Sequence, residues 1–296
     1  MKLAVVILNW NAAEDTAACL RVVQGWRRRD FLSDRHSGWW TTARTRRASS
    51  RSGGRSPRST SLVSPVNRGF AGGSHLGITA ALADGCDAVL LLNNDATVES
   101  SGVAAMLAAL AADPSVGVVG PTLWYCGRCV SAGGRDIALH GVTHLRPPHP
   151  PAARLEVDYV PGTVALVRRQ VFEEVGLLDE DYFFGGEMAD LCRRARLRGL
   201  RSVTEPAARA AHDLDRSSRE RRILHIYYIV RNRFLFVCKH HPRRRVWLYA
   251  VWTGWAVLAA LAALGRGDSR RARAVARGVL DHARGRFGGQ NERVLA

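Results

Sequence analysis

Two acidic positions in the sequence carry residue types that could perform chemistry. The first is Asp95, which ends the sequence Asn93-Asn94-Asp95 after the apolar run 88–92. This run predicts a buried strand, and the ligands of open α/β sheets bind beyond the carboxyl ends of the strands. A carboxylate at such an edge suits a divalent cation that sits on a diphosphate. The residues leave a second interpretation open, in which Asp95 caps the following helix.

The second acidic position is the pair Glu187 and Asp190, which begins a helix predicted for residues 187–198. Residues three apart share one face of a helix, so both carboxylates are expected on the same side. The pair follows an aromatic segment at 181–184, and a carboxylate beside an aromatic wall could act as a general base. The alternative is that both acids stabilise the positive end of the helix.

Polar residues at three other points could bind a ligand. Asn9 and Asn11 follow a strand predicted at 3–8, and the glycine-rich segment 67–73 predicts a turn before a helix, where backbone N–H groups attract anions. His212 ends an alanine-rich segment. It could contact a phosphate or a metal, or it could be a half-buried structural residue.

The elements that must position these residues alternate between strands and helices. This alternation predicts a doubly wound α/β domain. Strands are predicted at 3–8, 88–92, 116–119, 157–160 and 163–167, and helices at 14–24, 77–83, 103–112, 187–198 and 221–239.

The composition supports a globular chain with an anomalous basic segment. The 296 residues are 47% hydrophobic, which is enough for one large α/β domain. The net charge is +17, and residues 27–60 alone contain ten Arg, no Lys and two Asp. This segment has no period of 2 or 3.6 residues, so its composition predicts a disordered basic loop. A long structureless stretch directly after the first strand and helix is unusual for a compact domain.

The six cysteines indicate neither a disulfide framework nor a metal site. Cys126 and Cys129 form a lone CxxC pattern, and a zinc site needs further ligands at suitable spacing. The first residues contain no apolar segment of signal-peptide length before the first polar residues. A cytosolic chain with reduced thiols is therefore expected.

An uncharged apolar run occupies residues 246–264, directly after three arginines at 243–245. The run is long enough to span a membrane. Its many alanines and the pair Thr253-Gly254 also suit a helix that lies at a membrane interface or packs on the protein. Both interpretations stay open, and the basic surroundings predict attraction to an anionic membrane surface.

Five sequence segments occur in the same order as in a known family: VVILNWN, NRGFAGGSHLGI, DAVLLLNNDATV, VDYVPGTVALVRRQVFEEVGLLDEDYFF and GGEMADLCRRARLRG. Together they resemble the family 2 glycosyltransferases, and the rhamnosyltransferase-like branch is the most similar. The resemblance covers residues 1–24 and 62–212, with a looser echo at 227–233. It implies an α/β fold of the GT-A type, with a doubly wound mixed sheet and a helical C-terminal extension.

The resemblance also implies a role for each candidate residue. A nucleotide-diphosphate sugar, such as dTDP-rhamnose or a UDP sugar, would bind beside Asp95, which would hold Mg²⁺ or Mn²⁺. Glu187 or Asp190 would deprotonate the acceptor hydroxyl, and the sugar would be transferred with inversion. The donor side would comprise Asn9, Asn11, Asn67, Gly73 and Asn94, and the acceptor side Gly162, Thr163 and His212.

Three features depart from the family pattern. Met188 stands where a second acid usually follows Glu187, and the metal motif keeps a single carboxylate, Asp95. The third departure concerns the second strand of the family, which ends in a Val-Asp-Asn-Gly-Ser type motif. The aspartate of that motif holds the nucleotide, and the motif is missing from this sequence.

The genetic code offers an explanation for the missing motif. Residues 39–44, Trp-Trp-Thr-Thr-Ala-Arg, can be encoded so that a shift of one base spells Val-Val-Asp-Asn-Gly-Ser. We hypothesise that residues 27–60 are translated out of frame between two compensating insertions or deletions, and the alternative is a natural insertion. Under the first hypothesis the polypeptide lacks its second strand and its nucleotide-binding aspartate, and weak or no turnover is expected.

The sequence therefore predicts a glycosyltransferase domain at 1–220 and a basic, helical, membrane-associated region at 221–296. The expected location is the cytoplasmic face of the cell membrane, and the expected acceptor is a cell-surface glycan or a lipid-linked glycan. One alternative is a catalytically impaired scaffold in polysaccharide assembly. Another is a nucleic-acid-binding protein, which the charge favours. The sequence contains no basic motif interleaved with aromatic residues and no zinc finger, so no nucleic-acid partner is expected.

Overall fold

The computed structural model describes residues 1–10, 12–26, 38–44, 59–147, 149, 151–212 and 218–296. Within these ranges the chain forms a mixed β-sheet with helices on both faces, as the α/β prediction requires. The strands are β1 (Leu3–Trp10), β2 (Gly38–Arg44), β3 (Ser59–Val63), β4 (Ala88–Asn93), β5 (Ala96–Val98), β6 (Val116–Tyr125), β7 (Arg128–Ser131), β8 (Leu155–Val157), β9 (Val164–Arg168) and β10 (Arg201–His212).

The helices agree with most of the predicted positions. Those expected at 14–24, 103–112, 187–198 and 221–239 are confirmed to within about three residues at each end, and the apolar run 246–264 is helical. The helices are α1 (Ala13–Trp26), α2 (Gly69–Ala83), α3 (Ser100–Ala112), α4 (Arg169–Val175), α5 (Glu187–Arg196), α6 (Arg219–His240), α7 (Arg245–Gly265), α8 (Ser269–Ala283) and α9 (Asn291–Leu295).

The strand order explains why residues far apart in sequence meet at one edge of the sheet. The order is β3-β2-β1-β4-β9-β6-β10-β5, with β7 paired to β6 and β8 paired to β10. Strands β1 to β4 are mutually parallel, and Leu8 lies opposite Asn93, so β1 and β4 end side by side. Antiparallel β5 places Ala96 opposite His212, which brings the end of β10 to the same edge.

Strand β1 is apolar throughout because its two faces enter two different cores. Ala4 and Val6 belong to a core shared with α2, α5, α6 and α7. Leu3, Val5 and Ile7 belong to a second core shared with α1 and α3. Successive side chains of a strand point to opposite faces. A strand covered on both sides therefore reads as a continuous apolar run, as the sequence predicted.

The expectation that the chain lacks a second strand is wrong for its backbone. Gly38–Arg44 forms β2, parallel to β1 from Ala4↔Gly38 to Trp10↔Arg44, and β3 pairs in parallel with β2. Trp and Thr favour strands, and β1 would otherwise leave its edge unpaired. The second-strand position is therefore filled, although the family's aspartate is absent from the sequence. Residues 27–37 and 45–58, the remainder of the predicted basic loop apart from the first residues of β3, lie outside the described residues.

Helix α2 begins earlier than predicted, at Gly69, so most of the segment 67–73 belongs to the helix and does not precede it. Glycine disfavours helices, which is why the pattern predicted a turn. The glycines are needed for close packing on β1. A Cβ on Gly73 would lie 2.5 Å from Leu8 Cδ1, and a Cβ on Gly77 would lie 2.5 Å from Val6 Cγ1.

The helical C-terminal extension is present and is continuous with the sheet domain. Helix α6 buries much of its length, including Tyr227, Arg231 and Phe236. Helices α7, α8 and α9 pack against α6. Several residues of this extension reach the candidate site.

Candidate active site

The carboxyl ends of β1 and β4 open into a cleft of about 580 Å³. Most of the residues predicted from sequence to bind the donor or its cation line this cleft. They are Asn9, Asn67, Gly73, Asn94 and Asp95. Asn11, also predicted for the donor side, lies outside the described residues. Residues from β1, the start of α2 and the end of β4 thus meet at one site.

A network of amides forms the floor of the cleft. Asn9 is buried, and its Oδ1 accepts from the backbone N–H of Ala12 at 3.0 Å and from Asn94 Nδ2 at 3.5 Å. Asn94 Nδ2 also donates to Thr16 Oγ1 at 3.0 Å. These bonds join β1, the turn after β4 and the start of α1, so the two asparagines hold the floor of the cleft in place.

Asp95 lies in the turn between β4 and β5, and its side chain is 10% exposed. His212 Nε2 lies 3.5 Å from its Oδ1, and Arg221 Nη2 lies 3.6 Å from its Oδ2. Burial raises the pKa of this carboxyl, but His212 and Arg221 together outweigh burial, and the pKa is lowered. The geometry therefore keeps Asp95 charged at neutral pH.

Asp95 and His212 fit a divalent cation. Asp95 Oδ1 is buried and has no hydrogen-bond partner among the described residues, and His212 Nε2 faces it. Carboxylate oxygen and imidazole nitrogen are both ligands of first-row divalent metals. In the described part of the chain no cluster of three or more His, Cys, Asp or Glu side chains could hold a metal. Within the described residues the candidate ligands are Asp95 and His212, and substrate phosphates and water would add others. His212, which the resemblance assigns to the acceptor side, lies beside Asp95.

Glu187 begins α5 behind the loop of Phe183 and Phe184, which lines the cleft. The residue is 6% exposed, and its Oε2 has no hydrogen-bond partner within the described ranges. Burial raises the pKa of Glu187 to about 7, although hydrogen bonds from the backbone of Glu187 and Gly185 lower it in part. A carboxyl with a pKa near 7 is suited to take a proton from a substrate.

Asp190 has the opposite surroundings, although it lies one helical turn after Glu187. Its fully buried carboxylate accepts from Arg194 Nε at 2.7 Å and Lys239 Nζ at 2.5 Å, and it is hydrogen-bonded to His240 Nε2 at 2.8 Å. Burial raises the pKa of Asp190, but these partners lower it much further, so the pKa lies well below its ordinary value. Asp190 is thus the centre of an ion-pair network that joins α5 to the end of α6.

Helix α6 also fixes the loop that precedes Glu187. Fully buried Arg231 donates through Nη2 to two backbone carbonyls of the loop 181–185, at 2.8 and 3.0 Å. Asn232 Nδ2 donates to three carbonyls of the same loop, at 2.5 to 3.0 Å. The sequence echo at 227–233 therefore corresponds to a set of contacts that positions the start of α5.

The two remaining residues predicted for the acceptor side connect the halves of the site. A Cβ on Gly162 would lie 2.8 Å from Phe70 Cζ, in the wall of the cleft, and 3.1 Å from Met188 Cγ. The carbonyl of Thr163 accepts from the backbone N–H of Asn93 at 2.9 Å. The segment before β9 thus touches both the end of β4 and the start of α5.

Comparison with solved structures shows which fold this architecture represents. The mannosyltransferase PcManGT from Pyrobaculum calidifontis, in complex with GDP-Man and Mn²⁺, matches with a TM-score of 0.58 over 95% of this chain and 87% of its own, at 15% identity. S. aureus TarS 1-349, in complex with UDP-GlcNAc, matches with a TM-score of 0.56 over 97% and 84%, at 11% identity. GalNAc-T7 with UDP, GalNAc and Mn²⁺ matches with a TM-score of 0.60 over 80% and 47%, at 15% identity. The chain has the GT-A glycosyltransferase fold.

Sequence comparison finds relatives of this chain but does not assign it to a family. No protein-family model matches the sequence. An uncharacterized protein of Mycobacterium tuberculosis is 34% identical over 151 residues, which cover 49% of this chain and 54% of the relative. An uncharacterized protein of Sinorhizobium fredii is 32% identical over 135 residues, which cover 42% of this chain and 15% of the relative. The chain therefore spans about half, or less, of the length of the curated relatives it matches.

The GT-A cleft also contains residues that the sequence did not single out. They come from the C-terminal helices and from the residue before α6: Ser218, Arg221, Asn291 and Leu295. Ser218 Oγ accepts from the backbone N–H of Arg221 at 3.1 Å, so it caps α6 and fixes the position of that arginine. The serine before a basic helix start was the available signal. The predicted boundary at residue 220 separates residues that share the cleft.

Proposed function

We propose that the chain is an inverting glycosyltransferase that moves a sugar from a nucleotide-diphosphate donor to a hydroxyl of a glycan or lipid-linked acceptor. The observation that carries this proposal is the cleft at the carboxyl ends of β1 and β4, with charged Asp95 at its edge, in a GT-A fold. Membership of family 2 and of its rhamnosyltransferase-like branch belongs to the proposal and rests on the sequence resemblance.

The donor diphosphate would lie against Asp95. Asp95 and His212 would hold Mg²⁺ or Mn²⁺, and a bound cation offsets the negative charge that develops on the leaving diphosphate. Arg221 adds a positive charge at the same place, 3.6 Å from Asp95. This arrangement supports a diphosphate-containing donor in a site whose metal motif has one carboxylate. The choice of dTDP-rhamnose or a UDP sugar as the donor rests on the sequence resemblance.

Glu187 would act as the general base. In its ionised form it accepts the proton of the acceptor hydroxyl, and that oxygen forms a bond with the anomeric carbon. The bond from the anomeric carbon to the diphosphate breaks, and the nucleoside diphosphate leaves with the electron pair. Attack on the face opposite the leaving group inverts the anomeric centre. The buried Oε2 of Glu187 has no hydrogen-bond partner among the residues that the structure describes, whereas the carboxylate of Asp190 is bound by basic side chains, and this difference favours Glu187 for the role.

The proposal includes the site of action. A cell-surface glycan or its lipid-linked precursor is the acceptor, and the cytoplasmic face of the cell membrane is the location. The basic charge of the chain supports an anionic membrane surface as a partner. The chain is not proposed to bind nucleic acid.

The present sequence is expected to turn over slowly, because it lacks the aspartate that the resemblance places after the second strand. We propose that the chain translated in the alternative frame across residues 27–60 is the active form. Sequencing the encoding DNA of an independent isolate decides this point, because two compensating insertions or deletions must appear. An assay in which the present chain turns over its donor at a normal rate would contradict the expectation of slow turnover. The restored chain is the background in which substitutions are best assayed.

The experiment that tests the function measures nucleoside diphosphate release from a panel of UDP-, GDP- and dTDP-linked sugars. We expect release from one donor class, faster with Mn²⁺ or Mg²⁺ than with a chelator. The anomeric configuration of the transferred sugar, read by NMR, must be opposite to that of the donor. Release from no donor, by either chain, would overturn the proposal.

A scaffold without activity is the second candidate, favoured by Met188 in place of an acid and by the single carboxylate of the metal motif. This candidate predicts that neither chain releases nucleoside diphosphate, even where a nucleotide binds. Donor turnover that responds to substitution of Glu187 would exclude it.

A further inference from the structure

Helix α7 exposes a large apolar surface. Together with the turn before it, Pro242–Gly265, it is long and apolar enough to cross a membrane by length and composition, with a mean hydropathy of 1.7 over an 18-residue window. Its side chains are 41 to 83% exposed at eight large apolar positions: Val246, Trp247, Val251, Trp255, Val257, Leu258, Leu261 and Leu264. Soluble domains rarely expose a contiguous apolar patch of this kind unless it binds a partner or a membrane.

The opposite side of α7 is fixed to the rest of the protein. Leu248, Trp252 and Ala256 are buried in the main core. Trp252 Nε1 donates to the carbonyl of Ala138 at 2.8 Å, and the guanidinium of Arg233 lies 3.8 Å from the centre of the Trp252 ring. A helix bound to the protein along one side cannot be surrounded by lipid, so this packing argues against a membrane span.

Basic residues border the apolar surface at both ends. Arg243, Arg244 and Arg245 are exposed at the start of α7, and Arg266 is exposed at its end. From residue 242 to residue 284 the sequence contains nine Arg and two Asp, with no acidic residue before Asp268. This charge complements anionic lipid headgroups, whereas a second copy of the same basic surface would repel it.

We infer that the exposed face of α7 is a membrane-docking surface, on which the helix lies in the plane of an anionic bilayer without crossing it. Val251, Leu258 and Leu261 enter the acyl boundary, and Trp247 and Trp255 lie at the headgroup level, which tryptophan prefers. The arginines at both ends contact the headgroups. The inference rests on α7 and its surroundings and holds whether or not the chain transfers a sugar.

Vesicle flotation of the full chain tests this inference. The vesicles contain phosphatidylcholine alone or with about one third phosphatidylglycerol. We expect the chain to float with the anionic vesicles and to bind them less as salt increases. The double variant Leu258→Glu/Leu261→Glu should reduce binding at least about tenfold, because two charges enter the apolar face.

The matched control is Leu197→Glu/Val142→Glu. These positions are 68% and 72% exposed, and Leu258 and Leu261 are 68% and 58% exposed, so the control places the same charges at comparably exposed apolar sites elsewhere. It should bind as the unmodified chain does, and circular dichroism should be unchanged in both variants. Equal loss in the control would overturn the inference. So would failure of the unmodified, folded chain to float, or a dimer in solution whose formation depends on Leu258 and Leu261.

Extraction of cell membranes distinguishes an in-plane helix from a span. An alkaline carbonate wash should release the protein into the soluble fraction, because the helix is held from one side. Retention in the membrane after the wash would contradict the in-plane arrangement.

Discussion

Asp95 at the end of β4 lines the cleft, and Glu187 at the start of α5 is buried after the loop of Phe183 and Phe184 that lines it. The surroundings of these two acidic side chains have opposite electrostatic character. Asp95 faces His212 and Arg221, and its pKa is lowered in spite of burial. Glu187 is buried, one of its carboxyl oxygens has no hydrogen-bond partner in the described part of the chain, and its pKa is raised to about 7. The first carboxylate stays charged, while the second can change its charge near neutral pH.

The difference between the two pKa shifts indicates which role each carboxylate can take. A permanently charged carboxylate beside two basic groups suits a cation and a diphosphate. A carboxyl that gains and loses a proton near pH 7 suits proton transfer. Asp190 shows that sequence spacing alone does not decide the role of a carboxylate. It lies one turn from Glu187, but its negative charge is paired with basic side chains.

The largest expected effect comes from removing the base. Glu187→Gln should reduce sugar transfer about 1000-fold, because the acceptor hydroxyl loses its proton acceptor. This substitution should not destabilise the folded protein, because the Gln side chain does not ionise at this buried position. The pKa of Glu187 is raised from 4.5 to about 7, so at alkaline pH the free energy of unfolding of Glu187→Gln should exceed that of the unmodified chain by at most about 3 kcal/mol.

The control for that variant is Asp190→Asn, which should destabilise the chain by about 3 kcal/mol because buried basic groups lose their counter-charge. Urea unfolding and turnover together separate the two cases. An inactive Glu187→Gln that is also unfolded, or an Asp190→Asn of unchanged stability, would erase the contrast between these residues.

The next effect concerns the charged carboxylate. Asp95→Asn should lower turnover about 100-fold and abolish the response to Mn²⁺, because it removes the charged ligand of the cation. Activity measured over a Mn²⁺ titration checks this expectation, with Asp84→Asn as a control at an acidic residue outside the cleft. An Asp95→Asn enzyme that retains its metal response would show that the cation lies elsewhere.

The pH dependence of turnover and of stability also tests the difference between Glu187 and Asp95. Glu187 must be ionised to act, so turnover should fall about tenfold for each pH unit below 7 and level off above it. Stability follows the opposite course. A raised pKa adds stability that is fully present below pH 4.5 and is lost as the pH rises to about 7. In Glu187→Gln, the fall of turnover below pH 7 and the loss of stability between pH 4.5 and about 7 should both be absent. A turnover profile that is flat from pH 5 to 8 would refute the base assignment.

The smallest expected effect concerns Arg221. Arg221→Gln should raise the KM for the donor about fivefold, with little change in kcat, because its half-exposed guanidinium adds a solvent-screened charge to the diphosphate site. The control is Arg198→Gln, which removes an exposed arginine two residues after the end of α5. Steady-state kinetics with varied donor check this, and an unchanged KM would remove Arg221 from the donor site.

The sequence predicted much of the site because its residues follow buried strands. The apolar runs before Asn9 and Asp95 are covered on both faces, and parallel strands bring their carboxyl ends to the same edge. The positions of both residues at one cleft follow from this rule alone. The acidic start of α5 was also predictable, since Gly186 precedes Glu187 and a helical period follows.

Other features depend on tertiary contacts that the local pattern does not record. Gly73 belongs to a helix because β1 requires close packing, not because glycine favours helices. Asp190 acquires two of its three basic partners, Lys239 and His240, from α6, about 50 residues away in sequence. Arg221 and Asn291 reach the cleft because the C-terminal helices fold back over it. Strand β2 forms where the composition predicted a loop, since the edge of β1 is available for pairing.

The most direct test of the central claim is calorimetric titration of UDP, GDP and dTDP into the chain translated in the alternative frame across residues 27–60, with Mn²⁺ and with a chelator, for that chain and for its Asp95→Asn variant. We predict that at least one nucleoside diphosphate binds with Mn²⁺, and that both the chelator and Asp95→Asn weaken this binding at least about tenfold. Binding of equal strength under all these conditions, or no binding of any of the three, would contradict a donor site at the end of β4.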